Sequence, residues 1–202
     1  GRQIFAMSAS FQIAEGGLEH QDPMPAVSDP DTLPTLSETA ERATGAPSRF
    51  LGWNAFDVRV EPAAPGRGSS SGSAPASEGS HAPTAGPLSH VSHSQVWFRA
   101  NGKLPDHPLV HQCVLAYASD LTLLAASLVP HGRQWSFAGL QIASLDHAVW
   151  FHRPVRADEW VLYDQVTPSA QGARGLSAGR LFRRDGVMVA SVMQEGLVRL
   201  RD

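Results

Sequence analysis

Residues 109–128, LVHQCVLAYASDLTLLAASL, decide the architecture of this chain. They form its most apolar helical stretch, and the flanks carry helix punctuation. Asp106 stands where an N-cap would accept from free backbone N–H groups, Pro108 suits a first turn, and Pro130 with Gly132 stops the element. Almost every other hydrophobic pattern has the period of a strand: 2–13, 53–60, 92–100, 140–151, 160–166, 173–182 and 187–200, with Asn101-Gly102 and Asp185-Gly186 as turns. A short helical piece is expected around 37–43. One apolar helix among strands in meander order makes an α+β protein, and a curved antiparallel sheet wrapped around that helix buries it best.

Three polar residues interrupt these apolar faces. Asp120 has Ala116, Tyr117, Leu123 and Leu124 three and four positions away on the helix, so it is expected to point inward. Gln194 shares its strand face with Met188, Ala190, Val192, Val198 and Leu200, while Ser191, Glu195 and Arg199 occupy the other. Ser144 runs with Leu140, Ile142, Ala148 and Trp150, although Asp146 falls there too. Removing an unpaired carboxylate or amide from water costs roughly 2 kcal/mol or more, so Asp120, Ser144 and Gln194 together mark a candidate site.

With 202 residues and 42% apolar content, the chain can bury one large or two small cores. A net charge of −3 without a Lys/Arg run gives no footprint for nucleic acid or an anionic membrane, which favours a small ligand. No apolar stretch is expected to reach the roughly 20 residues that span a bilayer, and the start lacks a signal peptide, so a cytoplasmic protein is expected. The closing Arg-Leu-Arg-Asp is not a peroxisomal address of the Ser-Lys-Leu kind. The single cysteine, Cys113, permits no internal disulfide and is expected to be buried and inert on the helix. His147 and His152, five apart on a strand, face opposite ways and make a poor metal pair; no metal or cofactor is expected. Trp150, Phe151 and Trp160 read as core or subunit contact, and Arg153 and Arg174 carry no assigned role.

Residues 15–48 read as a polar, Pro-containing connector, and 63–87, dense in Gly, Ser, Pro and Ala, as a disordered insertion. The strand at 4–12 followed by Glu15-Gly16 parallels 187–194 followed by Glu195-Gly196, as in a duplicated chain.

Longer signatures add a family resemblance. His111-Gln-Cys-Val-Leu-Ala-Tyr-Ala-Ser-Asp120, Pro130-His-Gly132, Ser144-Leu-Asp-His-Ala-Val-Trp-Phe-His-Arg-Pro154, Ala173-Arg-Gly175 and Ala190-Ser-Val-Met-Gln-Glu-Gly196 resemble acyl-CoA thioesterase II, the TesB-type double-hotdog enzymes. The opening Ser10-Phe11-Gln12 through Glu19-His20-Gln21 is similar to the end of that family's first repeat. The resemblance implies a hotdog fold, with 1–21 as the last strand of a first repeat, 22–50 as linker and 51–202 as a complete second repeat. It implies hydrolysis of fatty acyl-CoA to free fatty acid and coenzyme A in a homo-oligomer, with no acyl-enzyme. Asp120 would polarise or deprotonate the water while Ser144 and Gln194 orient it.

By this resemblance most of the first repeat is expected to be missing, with the sequence truncated or another chain supplying the remainder. The apolar face at 5–13 would then be exposed and prone to association. Three other readings stay open at this point: a serine nucleophile at Ser144, a non-catalytic acyl-CoA-binding or assembly subunit, and a hotdog hydratase. The last is disfavoured because no histidine evidently partners Asp120.

Overall fold

The computed structural model describes residues 4–13, 15–45, 55–62, 93–133 and 137–201. These contain two α-helices, α1 (Leu36–Thr44) and α2 (Pro108–Ala126). They also contain seven strands: β1 (Phe56–Val60), β2 (His93–Ala100), β3 (Leu140–Ser144), β4 (Ala148–Phe151), β5 (Val161–Gln171), β6 (Arg174–Arg183) and β7 (Met188–Leu200). All pairings are antiparallel, in the order β1-β2-β5-β6-β7-β3, and β4 also pairs with β7. The expected architecture, an antiparallel sheet around one long helix, is the one observed.

Period-2 alternation explains how the strands bury both faces. Val96, Phe98, Val161, Tyr163, Leu181 and Val189 pack with Leu115 and Leu123 of α2 on the inner face. Trp97, Trp160, Leu162 and Phe182 point to the outer face, where Met24, Val27 and Leu33 cover them. The first five residues of β5 are consequently all buried.

The polar connector therefore packs as well as links. Gln21 pins it to the β6–β7 hairpin, its Nε2 donating to the Gly186 carbonyl at 2.9 Å and its Oε1 accepting from the Met188 N–H at 2.9 Å. Arg184 pairs with Asp29 and Asp31, and Trp160 Nε1 donates to Asp31 at 3.2 Å. Helix α1 starts in a capping box between Thr35 and Glu38.

Several expectations are corrected. The N-cap of α2 is His107, without a side-chain bond; Asp106 lies one residue too early and its carboxylate is taken by Arg156. Residues 4–13 take up no strand, because among the described residues no strand of the sheet lies beside them to pair with. Ile4, Phe5, Met7, Phe11 and Ile13 are exposed. Cys113 is exposed, on the side of α2 away from the buried stripe of His111, Leu115, Ala118, Ser119, Thr122, Leu123 and Ala126. The helix with its following turn, Pro108–His131, is long and apolar enough to cross a membrane by composition, contrary to expectation; here it is the helix the sheet packs against. The expected strand at 140–151 divides into β3 and β4. The insertion at 63–87 lies outside the described residues.

Candidate active site

The division of the edge strand builds the site. Ser144 pairs with Gly196 and Ala148 with Met193, so three residues, 145–147, face only two, Gln194 and Glu195. This is a β-bulge with one extra residue. The N–H groups of Leu145 and Asp146 both reach the Glu195 carbonyl, at 3.0 and 3.3 Å, and the Glu195 N–H donates to Asp146 Oδ1 at 2.7 Å.

The extra residue reverses the alternation of faces. Cross-strand partners share a face, so Ser144, opposite Gly196, lies on the Gln194 side. Ala148, opposite Met193, lies on the other side, which returns His147 to the Gln194 side. Ser144 and His147 would oppose each other in a regular strand, and here both border α2. For the same reason Ala148 and Trp150 leave the face of Ser144, contrary to the reading from the sequence.

Two glycines let the helix come down on this part of the sheet. Gly175 and Gly196 are cross-strand partners. A Cβ on Gly196 would overlap the Leu124 side chain, and one on Gly175 would lie 2.6 Å from Ser127 Cβ. Asp120 is one turn before Leu124, and Gln194 two residues before Gly196, so this approach also brings those two side chains together.

They meet in a closed set. Ser144 Oγ donates to Asp120 Oδ1 at 3.2 Å, Gln194 Nε2 donates to Ser144 Oγ at 2.9 Å, and Gln194 Nε2 also donates to Asp120 Oδ1. Gln194 is fully buried, whereas Ser144 is exposed and the Asp120 side chain is 49% exposed. Asp120 thus stands at the edge of the buried stripe rather than inside it, a correction to the expected inward orientation. Its Oδ1 collects both donors, and among the described residues Oδ2 takes none.

Sequence reasoning missed His147. Its Nδ1 lies 3.8 Å from Asp120 Oδ1, and its Nε2 is 2.8 Å from Ser119 Oγ. Burial holds its pKa below the ordinary histidine value, against the opposing pull of Asp120, Asp146 and Gln194. Asp120 therefore does have a histidine neighbour, which the strand period concealed because the bulge is invisible in the pattern. Tyr163, whose OH donates to the Ser119 carbonyl at 3.0 Å, has its pKa raised by burial and by Asp120.

The remaining candidates lie elsewhere. Arg153 donates to the Met188 carbonyl at 3.1 Å, and Arg174 pairs with Glu195 at 3.3 Å. His152 bonds Ser191 Oγ at 2.8 Å. Trp160 is buried, while Trp150 and Phe151 are exposed. Among the described residues no group of three His, Cys, Asp or Glu side chains could hold a metal ion.

A family model for acyl-CoA thioesterase matches residues 76–197. Acyl-coenzyme A thioesterase 8 of Homo sapiens is 34% identical over 216 residues, an alignment covering 100% of this chain and 61% of the human protein. The crystal structure of an acyl-CoA thioesterase II, TesB2, from Mycobacterium marinum superimposes with a TM-score of 0.68 at 41% identity, covering 95% of this chain and 61% of that one. A protein of hot dog fold from Alicyclobacillus acidocaldarius, 16% identical, shares the fold with a TM-score of 0.59 over 94% of this chain and 59% of its own. The chain thus spans about three-fifths of the length of these relatives.

Proposed function

The chain belongs to the acyl-CoA thioesterase family, and from that premise we propose that it hydrolyses the thioester of fatty acyl-CoA, releasing free fatty acid and coenzyme A, with a water activated by Asp120, Ser144 and Gln194. The observation carrying this reading is the closed set of bonds among those three side chains. Both Gln194 amide protons and the Ser144 hydroxyl proton are directed within the set, so Asp120 is held in place while its half-exposed carboxylate is open to water as a base.

In the proposed reaction Asp120 takes a proton from water, and the hydroxide oxygen adds to the thioester carbonyl carbon. The C–S bond then breaks as the intermediate collapses, and the proton is delivered to sulfur. Ser144 is a poor nucleophile in this arrangement. Its hydroxyl is engaged by Asp120 and Gln194, and among the described residues no imidazole bonds it; the neighbouring His147 bonds Ser119.

Thiol release from octanoyl-CoA by the purified chain tests the assignment. Asp120→Asn should lower kcat by about 10²–10⁴, the range for loss of a general base. Unchanged turnover in that variant would remove the proposal. A second reading, a subunit that binds acyl-CoA without turning it over, is favoured by the exposure of Asp120. Under that reading calorimetry would show acyl-CoA binding in a protein that releases no thiol.

A further inference from the structure

We infer that His147 is a positioning residue for this chemistry, holding an unprotonated Nδ1 against Asp120 through a tautomer that Ser119 selects; the inference rests on the proposal that Asp120 takes the proton of water. Ser119 has one hydroxyl proton, and it is donated to the Ala116 carbonyl at 2.8 Å. Ser119 Oγ, 2.8 Å from His147 Nε2, can then only accept. The proton of the neutral imidazole therefore sits on Nε2 and the lone pair on Nδ1. Among the described residues that Nδ1 is buried without a hydrogen-bond partner, 3.8 Å from Asp120 Oδ1.

A carboxylate facing an imidazole lone pair has no proton to share. The pair can share one once Asp120 has deprotonated water. The water O–H bond breaks, its oxygen bonds to the carbonyl carbon, and the proton is held between Asp120 and Nδ1. The imidazolium that forms donates through Nε2 to Ser119 and through Nδ1 to the carboxylate. As the C–S bond breaks the proton passes to the departing sulfur, and the neutral tautomer returns. No other reactant is needed.

Among the described residues the groups facing the ring are few. Asp120 and Ser119 approach from α2, Asp146 from its own loop, and from β7 Gln194, whose Oε1 is likewise buried without a partner among the described residues and can accept from Nδ1 once the ring is protonated; the Tyr163 phenol supports Ser119 from β5. Burial outweighs the two carboxylates, which keeps the ring neutral and its Nδ1 available near neutral pH.

His147→Gln retains a donor toward Ser119 and removes the titrating nitrogen. It should lower kcat for octanoyl-CoA by about ten- to a hundredfold with KM little changed, and shift the acid limb of the kcat/KM profile to lower pH. Imidazole-ring nitrogen NMR of the unsubstituted chain gives a readout that needs no turnover. His147 should show the Nε2–H tautomer, and Asp120→Asn should lower its titration midpoint by removing a negative neighbour. A proton on Nδ1, or a midpoint indifferent to Asp120→Asn, overturns the inference. So does full kcat with an unaltered acid limb in His147→Gln, and if Asp120→Asn is then inactive the proposal for Asp120 survives alone. Full activity in Asp120→Asn removes both.

Discussion

Gln194 has no exposed surface, and both of its amide protons are committed, one to Asp120 and one to Ser144. Truncating Ser144 would leave a buried amide proton unpaired and take one of two donors from Asp120. Ser144→Ala is therefore expected to lower thiol release about tenfold or more, whereas Ser144→Thr, which keeps the hydroxyl at an exposed position, should retain most of it. The same steady-state assay checks both. At this scale much of the candidate site was legible. Asp120, Ser144 and Gln194 stood out as polar interruptions of apolar faces, and the structure brings all three together. Burial was legible only for Gln194, because the helical period places Asp120 beside the buried stripe without fixing on which side of its border it falls. His147 was hidden by the assumption of an unbroken strand.

Elements of this fold are set by a few close approaches. Helix α2 descends on the Gly175–Gly196 pair, where an added methyl at 175 meets Ser127 Cβ at 2.6 Å. That atom moves only with the helix backbone, so Gly175→Ala is expected to destabilise the protein by about 1–3 kcal/mol, an overpacking cost measurable by urea denaturation. Activity should fall with it, since the same approach positions Asp120. A second tie joins the loop before α2 to the start of β5. Asp158, 8% exposed, accepts from Arg156 and from the Leu104 N–H, and chiefly the Arg156 bonds bring its pKa down to about 2. A carboxyl lowered by folding stabilises the fold above its unfolded pKa and loses that contribution as pH falls through the folded value. Asp158→Asn should lower Tm at neutral pH, and the difference from the unsubstituted chain should shrink between about pH 4 and pH 2. The helices and most strand limits could be read from periodicity and turn residues to within a few positions. The bulge at 145–147 could not, because an extra residue leaves the local composition unchanged.

The whole molecule is a sheet covered twice, by α2 on one face and by the pinned connector on the other. The sequence showed the first cover plainly. The second was concealed in a segment whose Met24, Val27 and Leu33 are too widely spaced to form a pattern. Exposed apolar side chains remain at Ile4, Phe5, Phe11 and Ile13, and again at Leu145, Trp150, Phe151 and Met193. We propose that they are covered by self-association, as the expected homo-oligomer requires. Sedimentation velocity should show concentration-dependent growth beyond the monomer mass, and a monomer at all concentrations would refute it. The bulged edge, finally, works like a gear with one tooth added: everything beyond it is turned over relative to what comes before. Were the same residues paired without the bulge, inside and outside would be exchanged along the remainder of that edge, with His147 directed to solvent and Trp150 toward the helix. The backbone path of this short loop is therefore as consequential for the site as the chemical identity of its residues.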